Sequence, residues 1–366
     1  MARHSYYAPE YLIRIKRDPI PAALRAAVTK VTWNSDVEAA DKIDFSIHDP
    51  KEFWFKHPLL KPENEISLAL GYAPDPLEEV FLGEITGQNA TFQEGGGVLL
   101  TVEAMDKSHR LMGGTKEQGF SFLPDSAVVS LVAIEHGLIP MVDPKSAFLS
   151  VLAQLLGHAR KQANKSDYEF LQEIAKEMGV QFWVDRNTLY VKKFLEHQPS
   201  ISADWGRTLI SFSPRLSTVG QIEGVSIKLW LKELKLDFVI TLSWDFDNER
   251  LNLSVVPSKT EKATTPKGKP ILKLVNQPIR DPTDLVQVMT KALSELKKKL
   301  NNRITGSGSM IGDIRIRKGS IIKLNGIGDI FSGNYRIKSA THTIDTSGYK
   351  VSFQGNQSII PESLSI

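Results

Sequence analysis

The chain has 366 residues, enough for two or three domains that each bury a core. It carries 45 Lys+Arg against 42 Asp+Glu, so a formal net charge of +3 supplies no global field to gather nucleic acid or anionic membrane. Cysteine is absent, which excludes a disulfide scaffold, a thiol nucleophile, an iron–sulfur cluster and any cysteine-based zinc site.

The opening residues contain no apolar run of the secretory type. The most apolar stretches, residues 127–142 and 147–156, fall short of the ~20 apolar residues a membrane span needs. Synthesis in the cytoplasm without membrane insertion is the expectation.

The first ~110 residues read as strands. Ile43, Phe45 and Ile47 share one face over residues 42–48, and Ile66, Leu68 and Leu70 do so over 65–70. Residues 80–85 and 98–102 are two more strand candidates. Turn residues separate them: Asp49-Pro50, Pro74-Asp75-Pro76 and Gly95-Gly96-Gly97. Short strands with frequent turns suggest a small barrel or sandwich.

The middle changes character. Phe148, Leu152, Leu155 and Leu156 lie at helical spacing within 147–163. Ser166 and Glu169 form a capping box, and the helix behind it buries Phe170, Leu171, Ile174, Ala175 and Met178 before a glycine cap at Gly179. Strands over 180–184 and 188–191 follow. Residues 113–198 thus read as an α+β unit.

Strand patterning returns near residue 200. Val225, Ile227, Leu229 and Leu231 alternate with Ser226, Lys228 and Trp230, and strands over 236–242 and 251–255 follow. A polar loop spans 258–270. Asp281 and Pro282 open a helix over 281–302 whose stripe is Leu285, Val288, Met289, Ala292, Leu293, Leu296 and Leu300. Lys297, Lys298 and Lys299 read as its solvated, dipole-complementing end. Strands over 314–316, 320–324, 335–343 and 349–353 complete the chain.

The pattern is mainly β with an α/β insert: two outer β units, 1–112 and 199–366, flank the α+β unit at 113–198. The outer units invite comparison as related folds, although no internal repeat is visible in the sequence.

Catalytic signatures are missing. The eight histidines, at 4, 48, 57, 109, 136, 158, 197 and 342, show no ligand-like spacing, and only His48-Asp49 and His342 with Asp345 pair locally. The glycine-rich segments at 306–312 and 326–328 have the wrong spacing for phosphate or dinucleotide loops. No catalytic, cofactor or metal residue is therefore assigned. Phe53, Trp54 and Phe55 cannot all face one core from a strand, so either they sit in an irregular loop or part of the cluster is buried against another chain.

The carboxy-terminal stretch carries an ordered motif: Gly306, Gly308, Gly312 and Asp313, then Gly319, Gly326, Gly328, Gly333 and Tyr335, then Thr341-His342-Thr343-Ile344-Asp345 through Gly348-Tyr349. Together with Ser166 through Phe170, Asp44 through Asp49-Pro50, Gly71-Tyr72, Gly83 and Ala104-Met105-Asp106, it resembles the phage late control D family of tail baseplate hubs. That family is also found in contractile injection systems and at the amino-terminal end of VgrG. The resemblance implies that the outer units are two related tube-type barrels, with loop 258–270 and helix 281–302 inserted in the second. It implies a homotrimer, a ring of pseudo-sixfold symmetry that adapts a hexameric inner tube to a trimeric spike. The implied partners are the inner tube protein above, a separate spike protein below, because the chain stops soon after its last strand, and baseplate wedge or sheath-initiating proteins around. No cofactor and no specific nucleic acid are implied, and the destination is a phage tail, virion or injection-particle baseplate. The motif residues read as structural: Gly333 and Gly348 for turns, Tyr335 and Tyr349 on the barrel surface. The competing expectation is a peptidoglycan-binding or wall-degrading component with 113–198 as its active part.

Overall fold

A computed structural model describes residues 8–94, 97–121, 123–142, 160–178, 180–192, 199, 201–217, 222, 224–231, 236–245, 250–258, 271–279 and 282–358. The first unit runs through β1 (Ala8–Ile15), β2 (Asp18–Pro19), a short helix Ala22–Ala27, β3 (Val28–Asp36), β4 (Lys42–His48), β5 (Glu65–Ala73), β6 (Glu78–Gln93) and β7 (Gly97–Asp106). Alternation decides which side chains enter the core. Ile43, Phe45 and Ile47 of β4 are buried, as are Val98, Leu100, Val102 and Ala104 of β7.

The α+β unit holds β8 (Lys116–Phe120), helix Asp125–Glu135, β9 (Ile139–Val142), β10 (Arg160–Lys165), helix Asp167–Glu177, β11 (Gln181–Asp185) and β12 (Thr188–Lys192). The capping box forms as its sequence requires: the Ser166 side chain accepts from the Glu169 amide, and Glu169 accepts from the Ser166 amide. Phe170 stacks on Phe120 at 5.6 Å, with Leu171, Ile174 and Ala175 beside it in this unit's own core. The expected helix over 147–163 lies outside the described residues as far as 159, and residues 160–163 belong to β10 instead. Gly179, Asp281, residues 259–270, and His4, His158 and His197 also lie outside the described residues.

The last unit begins with β13 (Ile201–Asp204) and β14 (Leu209–Leu216). The chain then leaves for β15 (Gly224–Leu231), β16 (Leu236–Asp245), β17 (Arg250–Pro257), β18 (Ile271–Ile279) and helix Pro282–Asn301. It returns as β19 (Ile304–Ile311), β20 (Ile321–Asn325), β21 (Gly333–Asp345) and β22 (Gly348–Gln357). The strands over 224–257 were expected in the second barrel. They form a separate four-stranded sheet, ordered β17-β16-β15-β18. Ala292, Leu293, Leu296 and Leu300 of the helix pack on Val225, Ile227, Ile240, Leu242 and Trp244, so the stripe builds a private core. Lys297 falls on that buried side, 7% exposed, which corrects the reading of 297–299 as wholly solvated; Lys298 and Lys299 are exposed. Residues 314–316 form a turn and no strand, because the Asp313 carboxylate and carbonyl accept from the amides of Arg315 and Ile316.

The outer units do not close into separate barrels. Among the described residues their strands make one 13-stranded open sheet, ordered β14-β19-β22-β21-β3-β4-β7-β6-β5-β1-β2, with β13 and β20 joined at β21. At the seam β3 and β21 pair antiparallel, from Ser339 opposite Asp36 to Asp345 opposite Lys30, so the edge of β3 that could close the first unit is taken by the last unit. Ile344 and Tyr349 of the last hairpin belong to the core of the first unit. Both Tyr335 and Tyr349 pack on the sheet and are buried there.

Candidate functional site

Three residues of the motif meet at the seam. His342 of β21 stacks on Trp33 of β3 with ring centroids 4.6 Å apart. Its Nδ1 accepts from the Tyr349 hydroxyl at 2.8 Å, and its Nε2 donates to the Ile316 carbonyl at 2.7 Å. Tyr72 of β5 lies 5.5 Å from Tyr349, and its hydroxyl donates to the Gly312 carbonyl at 2.9 Å. Burial holds the His342 imidazole well below its ordinary pKa, at about 4, against the opposing effects of the Ile316 hydrogen bond and the Asp313 charge. A neutral imidazole with both nitrogens engaged is a structural piece and has no free atom for chemistry. Asp345 does not pair with it; its carboxylate accepts from the amide and hydroxyl of Ser347, both at 2.7 Å, and closes the hairpin turn where Gly348 has φ +112°.

The other motif residues act locally. Buried Asp49 accepts from the amides of Phe53 and Phe55, each at 2.9 Å, and holds the loop after β4, with Pro50 exposed in its turn. His48 is exposed and does not engage Asp49. That loop splits the aromatic triplet. Trp54 turns into the first core at 9% exposure, while Phe53 and Phe55 stay out at 59% and 38%. Asp106 caps the turn after β7, accepting from the amides of Ser108 (2.8 Å) and Asp41 (2.9 Å). Gly71 lies against Leu77, Gly319 sits at the turn before β20, and Gly333 opens β21.

The side of the sheet away from the cores was not legible as a unit in the sequence. Register lines up Ser211, Ser309, Ser352, Thr341, Asn34 and Lys42 across β14, β19, β22, β21, β3 and β4. A second row sets Ser213, Ser307, Gln354 and Ser339 in line, and a third runs from Lys350 through Thr343, Thr32 and Asp44 to Glu103. Ser211 and Ser309 hydroxyls meet at 2.6 Å, Thr341 donates to Asn34 at 2.7 Å, and Lys42 bridges Asp44 and Glu103 at 3.0 and 3.2 Å. The hydroxyl-rich end forms a shallow concavity of about 440 Å³. The result is a polar wall that crosses the seam without interruption. It offers hydrogen bonds and water contact but few apolar anchors.

A cluster that the histidine spacing did not reveal joins Glu135, His136 and Asp167, whose ligand atoms lie within 4.8 Å of one another. Asp167 is 31 residues from His136, so only the fold brings them together. The Lys116 ammonium sits among them, 2.6 Å from Glu135 and 2.7 Å from Asp167. Burial works against ionisation of Asp167, but hydrogen bonds from Lys116, His136 and Gln162 outweigh it and hold the carboxyl below its usual range. A metal would have to displace this lysine, which bridges both carboxylates.

The fold can now be placed among known structures. It is shared with a 43 kDa tail protein of prophage MuSo2 from Shewanella oneidensis (TM-score 0.63, 13% identity, covering 96% of this chain and 99% of that one). It is also shared with a tail protein from Neisseria meningitidis MC58 (0.60, 12%, 96% and 97%). A third structure is the Escherichia coli c3393 protein, a type VI secretion component described as similar to the T4 tail proteins gp27 and gp5 (0.55, 11%, 96% and 77%). The chain thus has a tail-protein fold. A family model described as the Alg8 N-terminal domain matches residues 43–346, and the chain belongs to that family. This is a different family name from the late control D resemblance of the motifs; the tail-protein fold is the part of that expectation the structures share. No curated protein matches the sequence. Among the described residues, no helix is long and apolar enough to cross a membrane.

Proposed function

We propose that this protein is a non-catalytic structural hub of a contractile tail or injection-particle baseplate. Three copies form a ring that adapts a hexameric inner tube to a trimeric spike. The observation that carries the reading is the polar wall: one chain lays two β units side by side as a single sheet, under a fold shared over nearly its whole length with phage tail proteins. Three such chains supply six β units, which matches a sixfold tube, while the chain count stays threefold for the spike. A hydroxyl-rich, mixed-charge face suits the water-filled bore of such a ring, because it gives passing cargo no apolar patch to adhere to.

The proposed partners are the tube protein above, a trimeric spike below and wedge or sheath-initiating proteins around. Phe53 and Phe55 are proposed contacts to a neighbouring chain, since their exposure is unmatched by any need of the first core, which Trp54 already serves. Both nitrogens of His342 are committed, so this motif histidine is read as structural. Light scattering on the purified full chain with its spike partner tests the ring: a species with three chains of 40.8 kDa supports it. A chain that stays monomeric or forms dimers with tube and spike present contradicts it.

A further inference from the structure

A cleft of about 950 Å³ opens where three parts of the chain meet: helix Asp167–Glu177 with β11, helix Pro282–Asn301, and the strands β21 and β22. It belongs to no element of the ring reading. Six cationic side chains border it: Lys165, Lys176, Lys297, Lys298, Arg336 and Lys338. Three carboxylates share the lining, Glu38, Glu169 and Glu173. Glu173 pairs with Lys165 at 2.5 Å, which leaves five cations against the two carboxylates Glu38 and Glu169. The walls therefore present a cationic excess in a recess, where low-dielectric surroundings focus the field. Gln172, Gln181 and Asn302 add amides that suit a peptide backbone.

We propose that this cleft is a docking site for an acidic segment of a neighbouring protein. Charge-assisted hydrogen bonds from lysine and arginine to spaced Asp or Glu side chains would hold it. A nucleic-acid strand fits less well. Single-strand grooves pair cations with stacking aromatics, and the aromatic residue lining this cleft, Phe182, is buried in the core of the α+β unit. The inference stands apart from the ring reading, because it concerns one chain and a peptide.

Fluorescence anisotropy of labelled hexaglutamate against the full chain, at about 150 mM salt, reads the site directly. A matched oligothymidylate serves as the nucleic-acid probe. The Lys298→Glu/Lys338→Glu variant changes two exposed cleft lysines, and Lys51→Glu/Lys61→Glu changes two exposed lysines of the first unit. The expected result is that hexaglutamate binds, that the cleft variant weakens binding by about tenfold or more, and that the distant variant leaves it unchanged. Absence of binding, an equal loss in both variants, or preference for oligothymidylate overturns the proposal.

Discussion

Lys318 and Asp41, 277 residues apart in the chain, meet at 2.8 Å across the seam between the first and last units. Both side chains are nearly buried, at 8% and 14% exposure. Burial raises the Asp41 pKa to about 6, Lys318 opposes that, and the Asp106 charge adds to it. A buried pair of this kind matters most when one partner is removed. Lys318→Met leaves the buried Asp41 carboxylate without its cation and within the field of Asp106, and should cost about 3–5 kcal/mol. Asp41→Asn leaves the Lys318 ammonium buried but keeps an amide oxygen to accept from it and brings no second carboxylate into play, so it should cost less. Urea denaturation of both variants checks the order; a Lys318→Met loss below that of Asp41→Asn contradicts it.

The His342 imidazole gives the seam a pH dependence with a defined sign. Its pKa is about 4 when folded and near 6.5 when unfolded, so the unfolded chain binds the extra proton first. Its contribution is neutral above about pH 6.5 and becomes destabilising as pH falls toward 4, reaching about 3 kcal/mol. His342→Gln, which keeps a polar group but does not titrate in this range, should flatten that part of the stability profile. Chemical denaturation at intervals between those two pH values measures it; an unchanged slope in the variant would refute the assignment.

Gly312 sits at the seam, where its carbonyl accepts from Tyr72 of the first unit and its Cα faces the Tyr349 ring. A Cβ built on it would lie 2.2 Å from Cγ of the Tyr349 ring, which is itself locked between His342 and Tyr72. Gly312→Ala should therefore destabilise by about 1–3 kcal/mol or more through overpacking. Tyr72→Phe, which deletes only the hydroxyl bonded to the Gly312 carbonyl, should cost about 1 kcal/mol. Thermal denaturation of both separates a steric cost from a hydrogen-bond cost.

The aromatic triplet should divide the same way. Trp54→Ala empties part of the first core and should cost about 3–5 kcal/mol. Phe53→Ser and Phe55→Ser change exposed side chains, so each should leave stability within about 0.5 kcal/mol while weakening assembly. Sedimentation of the variants beside their denaturation curves distinguishes the two roles; assembly unaffected by the double variant removes these residues from the interface.

Local chemistry in this chain was legible from sequence, and long-range pairing was not. The Ser166–Glu169 capping box, the alternation of Ile43, Phe45 and Ile47, and the Asp345–Gly348 turn form from near neighbours, so residue types alone announce them. The seam pairing of β3 with β21 joins residues some 300 positions apart, and nothing in either strand's pattern names its partner. The strands over 224–257 show the same limit. Their alternation is genuine, but which sheet they enter is decided by the helix that covers them through Ala292, Leu293, Leu296 and Leu300. Of the site, His342 and Tyr349 were visible as motif residues, whereas the polar rows required the register, because serine on an outward face resembles serine on any solvated strand.

Electron cryomicroscopy of the assembled particle tests the central claim most directly. The account predicts three copies of this chain at the junction of tube and spike, with the wall containing Ser211, Ser309, Ser352 and Thr341 facing the bore. Any other copy number, a position away from that junction, or this wall buried against another protein would contradict it.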